Sequence, residues 1–389
     1  MSADDADPHR PGGSVVLDAR GGVRAVRFIH TADWQLGLKL RYLSPERAAQ
    51  LRLLRFQTVR AIGALAREVR ADAVLVAGDI LDDNALGRDA LQQTQDALRD
   101  FGDIPVGLLP GNHDAATEDG ALARLETTPS VRLLTRREPV RIGEAWVYPC
   151  PLYRRHETED PTAWLPERAA GEGIRIALAH GGVIDFSSDI ESAVPNLIDA
   201  DRVIRLGFDY LALGDWHGTF RYNARAWYSG TPEPTRFKES EPGAVLIVDI
   251  DGPGSEPRVQ RRQVAQTHWL TLDREFTEDV QVEELRAELE ALPQRSQTLI
   301  RLRARGVISM AARDALESLV QDYGERLAYL DADLDPLVAR PRPQDLASLT
   351  AEGFMIAGVQ RLQSGQHPAD AGALQLLYRL QRESADAAA

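Results

Sequence analysis

Five short apolar runs in this 389-residue chain each end in residues that could ligate a metal. They lead into His30-Thr31-Ala32-Asp33-Trp34-Gln35-Leu36-Gly37, Ala77-Gly78-Asp79-Ile80-Leu81-Asp82, Pro110-Gly111-Asn112-His113-Asp114, Ala179-His180-Gly181-Gly182 and Leu213-Gly214-Asp215-Trp216-His217-Gly218. The side chains on offer are carboxylate, amide and imidazole, with no thiolate. That chemistry suits Mn²⁺, Fe²⁺, Zn²⁺ or Mg²⁺ rather than a cysteine-held structural zinc. Seven candidate ligands exceed what one ion takes. Two ions ~3.5–4 Å apart, bridged by one carboxylate, would use them all. Such a pair lowers the pKa of a bound water and holds the attacking and leaving oxygens of an in-line displacement at phosphorus. The reaction class that follows is hydrolysis of a phosphate ester. The competing reading makes these residues turn-formers and caps. It suits any one motif alone, but not five in succession after predicted strands.

To converge, the motifs need strands whose ends share one rim, as in open α/β sheets. The runs Val26–Ile29, Ala73–Ala77, Val106–Leu109, Ile174–Ala179 and Tyr210–Leu213 read as buried strands. Ser44 and Pro45 form a helix start, with serine as N-cap and proline at the first helical position. Leu51, Leu54, Thr58, Ile62, Leu65 and Val69 then share one helical face. A second helix is predicted over Gly87 to Arg99. Further strands at Trp146–Tyr148, Ala226–Tyr228 and Ala244–Ile250 make the sheet system mixed or doubled. The turn-rich stretch Gly252–Pro257 precedes a new pattern, read as strand 269–272, helix 282–292, strand 299–302, helix 311–323 and strand 326–330. Pro336, Pro341 and Pro343 close this unit, and helices are predicted at 346–362 and 373–382. The division expected is a disordered tail (1–24), a catalytic domain (25–265), a capping domain (266–340) and C-terminal helices (341–389) that could dock on a partner.

Hydrophobic residues make up 43% of the chain, enough for a sizeable core. No apolar run approaches the ~18–20 residues of a membrane helix, and no secretory signal is visible, so no membrane association is expected. A single cysteine, Cys150, excludes an internal disulfide framework and points to a reducing, cytoplasmic setting. The net charge of −14 argues against a chain coated in positive charge, but leaves a nuclease open because bound cations bring charge of their own.

The motifs resemble those of the calcineurin-like metallophosphoesterases, and the segment from Phe28 to Gly37 is similar to the SbcD-type DNA repair exonucleases. The resemblance covers residues 25–250. It implies an α/β layered metallophosphoesterase fold, two mixed β-sheets flanked by helices, with a smaller C-terminal α+β capping domain. It also implies that Asp33, Gln35, Asp79 and His217 bind a first metal, and that Asn112, His180 and Asp215 complete a second with Asp79 bridging. His113 would sit beside the scissile phosphate with Asp114 orienting its ring. Manganese is the metal expected, with magnesium, iron or zinc as alternatives, because two positions depart from the family pattern. Gln35 stands where histidine is usual, and so does Asp215; both harden the site. The implied activity is a metal-dependent DNA exo- or endonuclease in DNA repair, with DNA, an SMC-type ATPase subunit and a second copy of the chain as partners. The alternatives are a phosphodiesterase or phosphatase on a small nucleotide, or a weakly active or non-catalytic assembly module.

Among the remaining residues, His30 reads as a core histidine, and His9, His156, His268 and His367 as surface residues. Trp34 and Trp216 either pack the rim or meet a base. Arg154, Arg155, Arg221 and Arg236 are candidates for phosphate contacts. The segment Trp227 to Pro232 is expected to shape the site floor.

Overall fold

The structure, a computed structural model, describes residues 25–183, 195–340 and 353–364, together with 367, 369, 370, 372–374, 376, 377 and 380. The expected N-terminal tail, the start of the helix expected at 346–362 and parts of that expected at 373–382 lie outside the described residues. Among the described residues no helix is long and apolar enough to cross a membrane. The chain divides into two compact units, residues 1–267 and 268–389.

The first unit contains two six-stranded sheets. In one, β1 (Val26–Thr31) lies between β2 (Ala73–Ala77) and β13 (Ala244–Ile250); β3 (Val106–Leu109) and β4 (Val131–Leu133) continue beyond β2, and β14 (Arg258–Gln263) closes the far edge. From β1 to β4 the pairing is parallel, so these strands end at one rim. In the other sheet the order is β11 (Phe220–Arg221), β12 (Ala226–Tyr228), β10 (Tyr210–Gly214), β7 (Arg175–His180), β6 (Ala145–Cys150) and β5 (Val140–Ile142). Here β6, β7, β10 and β12 run parallel. A short pair, β8 (Gly182–Val183) with β9 (Leu197–Ile198), follows the end of β7.

Apolar side chains of both sheets share one core. Phe28, Leu75 and Val248 of the first pack with Val147, Ile176, Leu178 and Tyr210 of the second. Strands covered on both faces need apolar residues at successive positions rather than in alternation, and β2, β7 and β10 are buried at every residue. Helices α1 (Pro45–Glu68) and α2 (Arg88–Arg99) cover the outer face of the first sheet, and α3 (Ala200–Arg205) packs with the second. Ser44 caps α1 by accepting a hydrogen bond from the Arg47 amide.

In the second unit β15 (His268–Phe276), α4 (Val280–Ala291), β16 (Thr298–Ser309), α5 (Met310–Arg326) and β17 (Tyr329–Asp333) follow the predicted alternation. Leu285, Leu289, Leu316 and Leu319 pack the two helices on the sheet. Helix α6 (Gly353–Gln363) follows, and Val359 packs with Met310 and Leu374.

Seven strands escaped the sequence pattern, β4, β5, β8, β9, β11, β14 and β18 (Leu337–Arg340), and two of them show why. The turn at Gly252–Pro257 joins β13 and β14 as a hairpin rather than ending the sheet. The β14 sequence RVQRRQ is charged because it is an edge strand, where charge discourages further pairing. Likewise β18 sits between the prolines expected to close the unit and pairs with the second half of β16. Proline is tolerated outside a strand's paired residues.

Ile62, on the sheet-facing side of α1, is fully buried, whereas Leu53 on the same helix is 51% exposed. Ile62→Ala is expected to lower unfolding stability by about 2–5 kcal/mol and Leu53→Ala by less than about 0.5 kcal/mol, read as shifts in urea midpoint. Equal shifts would contradict this packing.

Candidate metal centre

The parallel strands of both sheets end on the same rim, and their following turns are hydrogen-bonded to one another. Past β1 and β2 the main chains stay paired: Asp33 N donates to Gly78 O (3.0 Å), Gln35 N to Asp79 O (2.9 Å) and Leu36 N to Ile80 O (2.9 Å). From the second sheet, Gly181 N donates to Gly214 O (3.2 Å), and Asp215 N donates to both carboxylate oxygens of Asp33 (3.3 and 3.2 Å). A Cβ at Gly111 would sit 2.2 Å from Asp79 Oδ1, so only glycine lets the β3 turn approach this carboxylate.

Asp33, Asp79 and His180 form the buried heart of the site, with ligand atoms all within 4.8 Å of one another. His180 Nε2 lies 3.5 Å from Asp79 Oδ1 and 3.6 Å from Asp215 Oδ1. Asn112 joins through its Nδ2, 3.3 Å from Asp215 Oδ1. Gln35 Nε2 lies 3.1 Å from His217 Nε2. The structure thus gathers the seven sequence-predicted ligands into one linked cluster.

The ring contacts fix the tautomers. His180 Nδ1 is 2.8 Å from the Ala77 carbonyl, which can only accept, so Nδ1 keeps its proton and Nε2 is the ring atom that faces the carboxylates, holding a proton there until a cation takes its place. His217 Nδ1 meets Glu239 Oε1 at 2.6 Å, and its Nε2 is likewise left as a donor atom. A carboxylate behind an imidazole is the usual support for a metal-ligating histidine.

Cations fit this arrangement. His180 Nε2 and Asn112 Oδ1 are buried without a hydrogen-bond partner, a costly state for polar atoms unless they bind something. The charges point the same way. Burial, with Asp79 and Asp215 nearby, raises the Asp33 carboxyl to about 6 against the pull of two histidines. Burial alone would lower His180, but Asp79, Asp33 and Asp215 push it up to about 9. Protons are therefore held where divalent cations would replace them. The backbone is strained here as well. Asp33, Gln35, Asp79 and Asp215 adopt positive φ values of 53°, 43°, 52° and 99°, four of the eight non-glycine cases among the described residues. Such concentration marks a site at which geometry was selected over local comfort.

His113 stands at the open edge. Its Nδ1 is 2.9 Å from Asp82 O and therefore protonated, and its Nε2 is 4.0 Å from Asp79 Oδ2. The expected orienting contact from Asp114 is not made. The Asp114 carboxylate is fully buried and accepts from Gly111 N (2.7 Å) and Leu81 N (2.9 Å), tying the β3 turn to the β2 turn. Adjacent side chains in this loop point apart, and the partner of the ring is a backbone carbonyl. Burial, with Asp79 nearby, raises the Asp114 carboxyl to about 7.

Several supporting residues were not read from the sequence. Arg55, buried in α1, donates to Trp34 O (3.2 and 2.8 Å), Glu233 O (3.1 Å) and Pro234 O (2.9 Å). Its one trace is a charge on the apolar face four residues after Leu51. Glu239 lies outside every motif and leaves no trace. Thr231, within the expected floor segment, donates to Asp33 O (2.8 Å). Trp34 is buried, bonded through Nε1 to Thr31 Oγ1 (2.9 Å), and meets no base, whereas Trp216 is 49% exposed. His30 is a core residue, bonded to Tyr210 and Leu213; His156, His268 and His367 are exposed, and His9 lies outside the described residues.

Glu239→Gln is expected to weaken Mn²⁺ affinity roughly 10–100-fold by isothermal titration calorimetry, because the His217 ring loses its anionic support. Unchanged affinity would show that His217 is not a ligand.

Similarity to known proteins agrees with this geometry. The model of the family described as calcineurin-like phosphoesterase matches residues 26–248, more than half of the chain. The SbcD component of nuclease SbcCD from Bacillus subtilis strain 168 is 26% identical over 274 residues, covering 59% of this chain and 68% of that protein. Its counterpart in Staphylococcus saprophyticus is 25% identical over 253 residues, covering 58% and 66%. The chain therefore belongs to the calcineurin-like phosphoesterase family.

Proposed function

We propose that this phosphoesterase is a metal-dependent DNA nuclease that acts in DNA repair. The observation that carries the hydrolytic chemistry is the pair of orphaned ligand atoms, His180 Nε2 and Asn112 Oδ1, facing a cluster of buried carboxylates. The choice of DNA rests on the likeness to the two SbcD nucleases. In this reading Asp33, Gln35, Asp79 and His217 hold one divalent ion, and Asp79, Asn112, His180 and Asp215 the other. Bound, the two ions neutralise phosphate charge and lower the pKa of water at the site.

The chain's own groups do the rest. Glu239 and Ala77 O fix the His217 and His180 rings, and Asp114 locks the turns on which Asp79 and Asn112 sit. With His113 Nδ1–H committed to Asp82 O, Nε2 is the ring atom that would exchange a proton with the leaving oxygen, giving it from the doubly protonated ring and leaving the neutral Nδ1–H form. Residues 266–340 serve as the capping domain. The exposed Leu376 and Leu380 belong to a C-terminal segment that docks on an SMC-type ATPase partner. A second copy of the chain completes the assembly.

The oxygen-rich donor set favours manganese or magnesium over zinc. Gln35→His is expected to tighten zinc binding and to raise zinc-supported turnover relative to manganese. Higher wild-type turnover with zinc than with manganese would contradict the assignment.

His113→Ala is expected to reduce cleavage of labelled linear and single-stranded DNA about 10²–10⁴-fold in the presence of Mn²⁺, with metal still bound. Asp79→Ala should abolish cleavage by removing a carboxylate that both ligand sets would need. Cleavage equal to wild type in both variants would sink the nuclease reading.

A further inference from the structure

Beside His113 the molecule opens into a polar cleft of about 540 Å³, large enough for one nucleotide. Its lining includes Asn112 and His113 from the metal centre, and Tyr153, Arg154 and Arg155 from the loop after β6. Asp82 and Asp83 line it too, and Asp83 is neutralised by Lys39 at 2.8 Å.

Tyr153 is 38% exposed, and Arg137 supports its ring with a guanidinium carbon 5.2 Å from the centroid. Arg137 lines only the neighbouring cleft, whereas Tyr153 lines both. A cation thus lies over one face of the ring.

The loop carrying these residues is fixed in place. Tyr153 N donates to Glu157 Oε1 (2.7 Å), and Glu157 Oε2 accepts from Arg137 (3.1 Å). Glu157 N donates to Asn196 Oδ1 (2.7 Å), and Asn196 Nδ2 donates to Arg155 O (3.1 Å). Asn196 is itself buried, with φ 58°. It presses on the turn after His180 so closely that a Cβ at Gly181 would lie 2.0 Å from Asn196 O. The exposed ring and two arginines are therefore held at a set position relative to a metal-centre turn. A loop serving only as a connection has no need of this scaffolding.

We propose that Tyr153 is a stacking platform for an unpaired nucleobase next to the scissile phosphate, with Arg154 and Arg155 taking the adjoining phosphate. This rests on the phosphodiesterase reading and adds its substrate class, a single-stranded nucleotide chain. Every base offers a π-face, so the platform gives affinity without sequence preference. A base still stacked in a duplex cannot present that face to Tyr153.

The test uses p-nitrophenyl phosphodiesters sharing one leaving group: thymidine esters of both polarities, and the base-free methyl ester. For Tyr153→Ala, KM for the better thymidine ester is expected to rise about tenfold more than KM for the methyl ester, with kcat for the two falling alike. Tyr153→Phe should keep most of the wild-type discrimination, because the ring remains. Equal changes on the base-bearing and base-free esters, or none on either, would overturn the platform while leaving the hydrolytic reading intact. Failure of the wild type to turn over any of these esters with Mn²⁺ would overturn both.

Discussion

The structure depends on one electrostatic constraint, the confinement of Asp33 and Asp79, shielded from water, beside His180, with Asp215 at the edge. Carboxylates so placed repel one another, and burial removes the solvent that would screen them. Protons or hydrogen bonds satisfy part of that charge, as the raised Asp33 and His180 titrations show. Divalent cations satisfy it more fully, and they also give His180 Nε2 and Asn112 Oδ1 partners that the protein does not supply. The groups that make the cluster costly without metal are the same ones that could bind it.

Holding such a cluster takes a rigid frame. Two sheets share an apolar core, and their parallel strands end together, so ligands far apart in sequence meet through short turns. The ladder between β1 and β2 continues into those turns, which carries strand rigidity to the site itself. Behind this lies a second tier. Arg55 joins the Trp34 carbonyl to the chain at Glu233 and Pro234, and the Glu233 carboxylate accepts from Thr58, Gln266 and Thr267. Through these bonds the end of the first unit is tied to the turn that carries Asp33. Positive-φ backbone at four candidate ligands is tolerated because this frame over-determines it.

Much of this was legible in the sequence, for a physical reason. Doubly covered strands must be apolar along their length, and ligands at strand ends must follow them directly, so run and motif appear side by side. The two mixed sheets and a smaller C-terminal unit that contains a sheet agree with that reading. What stayed hidden lacks such coupling. Edge strands β14 and β18 need little apolar character, and one reads as a charged loop and the other as a proline-bounded tail. Asp114 reads as the partner of its sequence neighbour His113, but side chains next to each other in a turn diverge, and its partners are amides 3 and 33 residues away. Glu239 reaches His217 from 22 residues on, through a fold that no local pattern encodes.

The central claim is that this buried charge is a divalent-cation site. The most direct measurement is a crystal grown with excess Mn²⁺ and examined by anomalous scattering. The account predicts two peaks, both in contact with Asp79, one extending to Gln35 and His217 and the other to Asn112 and His180. No anomalous density among these side chains, in crystals with the cation in excess, would contradict it.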